Sequence, residues 1–281
     1  MSANLRPWRR VAVLLLALAL PAAGCSVFRR PPPGPPLPRR QVLEILRDRS
    51  ERFHTLVDTR IGLRMAVTDS IGRQEGPKLG GHVAFDRDLP GLWVSAEKLG
   101  RQIFSLKAVG WTFALILPET REVVTGGPVA YEKLPHLIRP AEVRRILAGP
   151  ERLGLSWPAA EMTVEPEVYR FRVDLAGSPY MEVAVDRRQV AITLIRRYDV
   201  LGRTVTEVHM GDYEEADGLL FPHRLAIHRP LHGTEAELRL GRPRLNKPIP
   251  AEAFQPPELP GWRRVDLDRQ PLEEVEAFRA E

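Results

Sequence analysis

The sequence predicts a mainly β domain of the α+β class, one antiparallel sheet of about ten to twelve short strands with few helices. Three observations lead there. Apolar and polar residues alternate in short runs along most of the chain after residue 58. That period matches a strand with one apolar face. Gly, Pro and Asp punctuate the runs at turn-like intervals. The 3.6-residue helical period is confined to two segments, one before the first strand and one in the middle.

The elements follow in order. Arg6, Arg9 and Arg10 precede the apolar run Val11 to Leu20, and Pro21-Ala22-Ala23-Gly24-Cys25 follows it. The run is shorter than the roughly 20 apolar residues needed to span a bilayer. A basic n-region, short apolar stretch and small-residue cleavage site fit a secretory signal over 1–24. Small residues directly before Cys25 resemble a bacterial lipobox, in which cleavage exposes a cysteine that carries lipid. Cys25 is the only cysteine of 281 residues, and a secreted chain rarely keeps a lone thiol. It is the expected lipidation site. Ser26 rather than Asp follows it, so the expected location is the outer membrane, facing the periplasm.

Residues 25–40 hold the Pro31–Pro38 run with Arg29, Arg30, Arg39 and Arg40. Polyproline II geometry over that run reaches about 25 Å. The arginines either meet anionic head groups, at about 1 kcal/mol each, or ride on a plain tether. The formal net charge of +5 resides here: three Arg and no acid precede residue 25, and four more Arg precede residue 41. The remainder has 34 basic and 36 acidic side chains, which excludes the basic footprint of a nucleic-acid binder.

Val42, Ile45, Leu46, Phe53, Leu56 and Val57 recur at helical spacing and predict a helix over 41–58. Strands follow. Ile61, Leu63, Met65 and Val67 alternate with polar neighbours, as do Val83 and Phe85, then Leu92, Val94 and Ala96, then Phe104, Leu106 and Ala108. Trp111, Phe113, Leu115 and Leu117 form the strongest stripe. Pro140 to Leu147, closed by Gly149-Pro150, reads as a second helix. Strands resume at Tyr169, Phe171 and Val173, then Met181 and Val183, and continue to Leu238 and Leu240. One domain is expected over 41–258, with a tail over 259–281.

The residues of bond-breaking chemistry are not patterned. No Ser sits in a GxSxG turn, and neither HExxH nor a Walker loop occurs. His223 and His228 would point to opposite faces of one strand, which disfavours a metal site. No enzyme activity, cofactor or metal is expected. The apolar stripes remain ambiguous. Met65, Phe85, Val94, Phe104 and Leu106, with Trp111, Phe113, Tyr169, Phe171 and Val183, either fill a core or line a hollow suited to an acyl chain. A large sheet with two helices has more apolar face than the helices cover, which favours a hollow unless a second sheet packs there.

Three stretches resemble the LolA/LolB lipoprotein carriers and receptors. LWVSAEKLGRQIFSLKAVGWTFALIL (92–117) is similar to the receptor's strand–loop–strand region, with Leu99-Gly100 at the loop tip. LIRPAEVRRILAG (137–149) is similar to the central lid helix. GDYEEADGLLFPHRLAIH and NKPIPAEAF, within 211–254, resemble the carrier's closing strands and end. The resemblance implies an incomplete antiparallel β-barrel under a helical lid that takes up acyl chains. With Cys25 lipidated it implies a receptor that delivers lipoproteins or another lipid to the outer membrane. It implies a soluble LolA-like carrier as a partner, and a monomer. Leu99 would then enter the membrane during delivery, flanked by Lys98 and Arg101; otherwise it folds back on the sheet edge. The competing reading is a non-catalytic envelope scaffold or sensor with a filled half-barrel.

Overall fold

The computed structural model describes residues 33–133, 140–147, 160–175 and 178–270. The expected signal segment over 1–24 and Cys25 lie outside them, as do the residues flanking the middle helix. The described domain begins at Pro36.

The first helix, α1 (Arg39–Arg52), buries Val42 and Leu46. It ends six residues before the sequence-based expectation. At Phe53 the chain turns extended. Asn246 explains the stop: its amide donates to the Arg52 carbonyl at 2.8 Å and accepts from His54 N–H at 2.9 Å. A side chain from far along the sequence thus takes the polar groups that another helical turn would need. Leu56 and Val57, expected on the helix, belong instead to β1 (Thr55–Asp69). Leu56 remains buried there.

The strands that follow are β2 (Gly72–Glu75), β3 (Leu79–Asp86), β4 (Gly91–Lys98), β5 (Arg101–Val109), β6 (Thr112–Leu117) and β7 (Glu122–Gly126). Two short helices come next, α2 (Pro128–Lys133) and α3 (Pro140–Leu147). The second half holds β8 (Glu161–Val164), β9 (Val168–Leu175), β10 (Ser178–Asp186), β11 (Ala191–Tyr198), β12 (Thr204–Ala216), β13 (Leu219–Arg229) and β14 (Thr234–Arg239). Then come β15 (Arg244–Leu245) and β16 (Arg263–Asp266).

Among the described residues all sixteen strands join one sheet, in the order β16-β7-β6-β5-β4-β3-β1-β14-β13-β12-β11-β10-β9-β8, with β2 and β15 paired to β1. Neighbours are antiparallel except β16, which runs parallel to β7. The sheet is open, with β8 and β16 at its two ends. β16 corrects the expected tail: Val265 and Leu267 are buried in the main core.

The sheet is strongly curved. β6 and β13 are six strand spacings apart, about 29 Å if flat. Yet side chains of both line one cavity. A β-bulge between Asp58 and Ile61 sharpens the bend in β1. The Asp58 carboxylate, 1% exposed, fixes that bulge by accepting from the backbone N–H groups of Arg60 at 2.8 Å and Arg242 at 2.9 Å.

The helices occupy the concave face. Phe53 at the end of α1 stacks on Phe85 with centroids 5.6 Å apart and tilts against Phe221 at 5.0 Å. The opposite face of β6 and β7 is covered by the chain after β15, where Leu259 and Trp262 pack on Ala114, Ile116 and Val123. Phe254 lies so close over Gly91 that a Cβ there would stand 2.6 Å from its ring.

Candidate functional site

An apolar cavity of about 420 Å³ lies between the concave face and the helices. One wall is built by alternate residues of β4, β5 and β6: Leu92 and Val94, Phe104 and Leu106, Phe113 and Leu115. Because alternate residues share a face, the intervening side chains Trp93, Ser105 and Ala114 point outward. There the Trp93 indole donates to Ser105 Oγ at 2.9 Å and lies 5.3 Å from the Lys107 ammonium. The opposite wall comes from Leu63, Met65 and Val67 of β1 with Leu225, Ile227 and Leu238 of β13 and β14. Val143, Ile146 and Leu147 of α3, with Tyr131 of α2, close the roof.

Polar groups stand at one margin, on Thr234 and Glu235. Glu235 is turned toward Arg73 on β2, 2.9 Å away. Met65 and Val67 are 44% and 46% exposed and mark the mouth at that margin. A volume within the usual 300–1,000 Å³ of small-molecule sites, with an almost wholly apolar wall, suits a hydrocarbon ligand. Among the described lining residues the polar side chains are Thr234 and Glu235 at the margin and Tyr131 in the roof.

The roof is held from its own side. The Arg144 guanidinium on α3 donates to the carbonyls of Pro90 and Gly110, in the β3–β4 and β5–β6 turns. Arg49 on α1 likewise donates to the Val190 carbonyl at 2.7 Å.

Of the ten residues proposed from sequence, Met65, Val94, Phe104, Leu106 and Phe113 come together on the cavity wall. Phe85, Tyr169, Phe171 and Val183 are no more than 1% exposed and belong to the packed core, outside the lining. Trp111 is a correction. It sits in the two-residue turn between β5 and β6, after Gly110 at φ +58°, and is 52% exposed. The stripe therefore begins at Phe113, one step later than the alternation suggests. The lid helix expected over 137–149 is present as α3 in the roof, whereas sequence reasoning missed Leu225, Ile227 and Leu238 as wall. Each carried the right period, but nothing in the sequence said which stripe faced the hollow.

No family model and no curated protein matches this sequence. Solved structures do match. A LolA superfamily protein from Nitrosomonas europaea aligns with a TM-score of 0.50 at 14% identity, over 76% of this chain and 97% of that one. A putative outer membrane lipoprotein-sorting protein domain from Vibrio parahaemolyticus aligns at 0.50 and 12%, over 77% and 97%. The fold is LolA/LolB-like. A DUF1329 family protein from Desulfovibrio piger aligns as well, with a TM-score of 0.51 at 10% identity, over 77% of this chain and 95% of that one.

Within this LolA/LolB-like fold Leu99 stands out. It is 99% exposed at the β4–β5 turn and does not fold back on the sheet. Leu99 and Gly100 have φ of +53° and +76°. Positive φ at both central residues is the type I′ hairpin pattern, which favours Asn or Asp before Gly. The β12–β13 turn of the same chain uses that pair, Asp217-Gly218, at +46° and +76°. A leucine in this conformation costs about 1–2 kcal/mol. The turn therefore presents an apolar side chain to water at a backbone cost.

Proposed function

We propose that this protein is a lipid-anchored outer-membrane receptor that takes acyl chains of lipoproteins, or of another lipid, into its cavity and delivers them to the membrane. The observation that carries the reading is the apolar cavity between the concave sheet face and the helices. Its lining fits hydrocarbon and little else. Each methylene moved from water into such a wall contributes about 0.8 kcal/mol. Ten methylenes contribute on the order of 8 kcal/mol, part of which offsets the entropy lost on association. A bilayer offers the same solvation with more room, so release there is close to isoenergetic and is driven by dilution into lipid. No bond is made or broken.

The direction of transfer rests on Cys25 and Leu99. The lipobox-like sequence before Cys25 supports lipid anchoring, and Ser26 supports the outer membrane as destination. Leu99, flanked by exposed Lys98 and Arg101, supports a delivery step in which the turn enters the lipid. A soluble carrier of the LolA type would supply the cargo. The fold shared with the Nitrosomonas and Vibrio proteins agrees with this role.

The test is mass spectrometry of the detergent-purified protein for co-purified lipid, together with uptake of a fluorescent acyl probe. Bound lipid and saturable uptake are expected. A lipid-free protein that ignores the probe would overturn the reading and favour the scaffold role. Leu99→Glu should take up probe normally and transfer it to liposomes more slowly. Transfer at the wild-type rate would remove Leu99 from the mechanism.

A further inference from the structure

Among the described residues, the four most exposed large apolar side chains are Leu99 at 99%, Ile71 at 87%, Val200 at 80% and Leu201 at 72%. They sit on three turns far apart in sequence. Strand register brings the three turns to one end of the sheet. Along β1, Gly62 pairs with Gly80 of β3, and the strand then continues to the Ser70–Ile71 turn. Gly80 pairs with Glu97, two residues before Leu99. On the other side Val67 pairs with Thr234 and Thr234 with Arg229. His228 pairs with Glu207 and Thr204 with Tyr198, so the Val200–Leu201 turn lies at this end too. Met65 and Val67, which mark the cavity mouth, are on the same stretch of β1. The half-exposed apolar residues toward the other end, Leu89, Trp111, Val129 and Val164, are none of them more than 52% exposed.

Two of the three tips are fixed by their own turns. Asp199 Oδ1 accepts from the N–H groups of Leu201 at 2.8 Å and Arg203 at 2.9 Å, and Oδ2 accepts from Arg203 Nε at 2.8 Å. That bonding fixes Val200 and Leu201 at the apex. Leu99 is fixed by its left-handed backbone.

We propose that these three turns are a membrane-docking rim, with Ile71, Leu99, Val200 and Leu201 entering the head-group boundary of a bilayer so that the cavity mouth faces lipid. The proposal rests on the acyl-receptor reading and extends its delivery step from one residue to three turns. A lipid surface suits these tips better than a protein. A protein partner needs a contiguous packed patch, whereas separated apolar points suit a fluid phase that closes around each. Lys98 and Arg101, both exposed beside Leu99, are favoured near anionic head groups.

The test uses the full-length lipidated protein in phosphatidylethanolamine/phosphatidylglycerol vesicles. Single-cysteine variants Ile71→Cys, Leu99→Cys, Val200→Cys and, as the far-end control, Val164→Cys carry a polarity-sensitive fluorophore. Cys25 is the only native cysteine, and acylation blocks it from labelling. Blue-shifted emission and quenching by brominated lipid are expected at 71, 99 and 200 and not at 164. A response at 99 alone overturns the rim and leaves the receptor reading intact. Labels that enter lipid in a protein that takes up no acyl probe would support the rim and overturn the receptor reading. Replacing Ile71, Val200 and Leu201 together by Ser should slow probe transfer to vesicles on the order of tenfold, with uptake as the internal control. Unchanged transfer refutes the rim.

Discussion

Phe113→Ala and Phe171→Ala remove the same atoms from two places that the sequence did not distinguish. Phe113 is on the cavity wall, 7% exposed, with its ring 5.4 Å from Tyr131 in the roof. Phe171 is fully buried in the core. A buried Phe→Ala change costs about 3–5 kcal/mol. For a domain of this size that lowers Tm by about 6–20 °C. At Phe171 the void is sealed and the loss stands. At Phe113 the space opens into the cavity, where a ligand can fill it at about 0.8 kcal/mol per methylene. Thermal unfolding should therefore be run for both variants against a series of fatty acyl ligands. Phe113→Ala should regain stability with chains a few methylenes longer than wild type prefers, while Phe171→Ala gains no more than wild type does. If the two variants respond alike to every chain length, Phe113 does not line a ligand site and the cavity argument fails.

Three further outcomes follow from single contacts. Gly81→Ala sets a Cβ 1.9 Å from the Ser95 carbonyl oxygen at φ +158°, so urea unfolding should show a loss well above the ~1 kcal/mol of an average substitution; a smaller loss would mean that β3 and β4 separate cheaply. Arg144→Ala frees α3 from the Pro90 and Gly110 carbonyls, and amide exchange over 140–147 and acyl-probe exchange should both accelerate; unchanged exchange would mean that the latch does not hold the roof. The Arg196 guanidinium, 2.6 Å from Glu207 and helped by His209, holds that carboxyl below the usual range. Its stabilisation is then present above the unfolded carboxyl pKa, near 4.3, and fades as pH falls through the lower folded value. The deficit of Glu207→Gln should be full at pH 7 and shrink below about pH 4; a deficit independent of pH would refute the charge argument.

The long strands were legible because one of their faces must be apolar. What escaped the sequence has physical reasons. β2 (GRQE) and β16 (RRVD) hold one apolar residue between them, so they join the sheet through backbone pairing with no stripe to reveal it. The α1 boundary depends on Asn246, a partner that no local window contains. β6 is apolar on both faces, Phe113 and Leu115 inward and Ala114 and Ile116 outward, because Leu259 and Trp262 cover its back. Alternation there could not say which face was concave. That ambiguity explains the site as well: half the named residues line the wall and four fill the core, since both environments select the same side chains. Leu99 was conspicuous as one apolar residue among charges, but its exposure and left-handed backbone are set by the two-residue turn, which no residue pattern specifies.

Among the described residues β8 and β16 have no further strand beside them, and this has a mechanical consequence. In a closed barrel, strand number and shear fix the radius. Here the hoop has no clasp. Its girth is set by curvature, through twist and bulge adjustments such as the one at Asp58–Ile61, and by the helices packed in its concave face. Under the proposed function, an open sheet would let the hollow widen or narrow without breaking a ladder hydrogen bond, and acyl ligands of different thickness would be met by bending the wall rather than unzipping it.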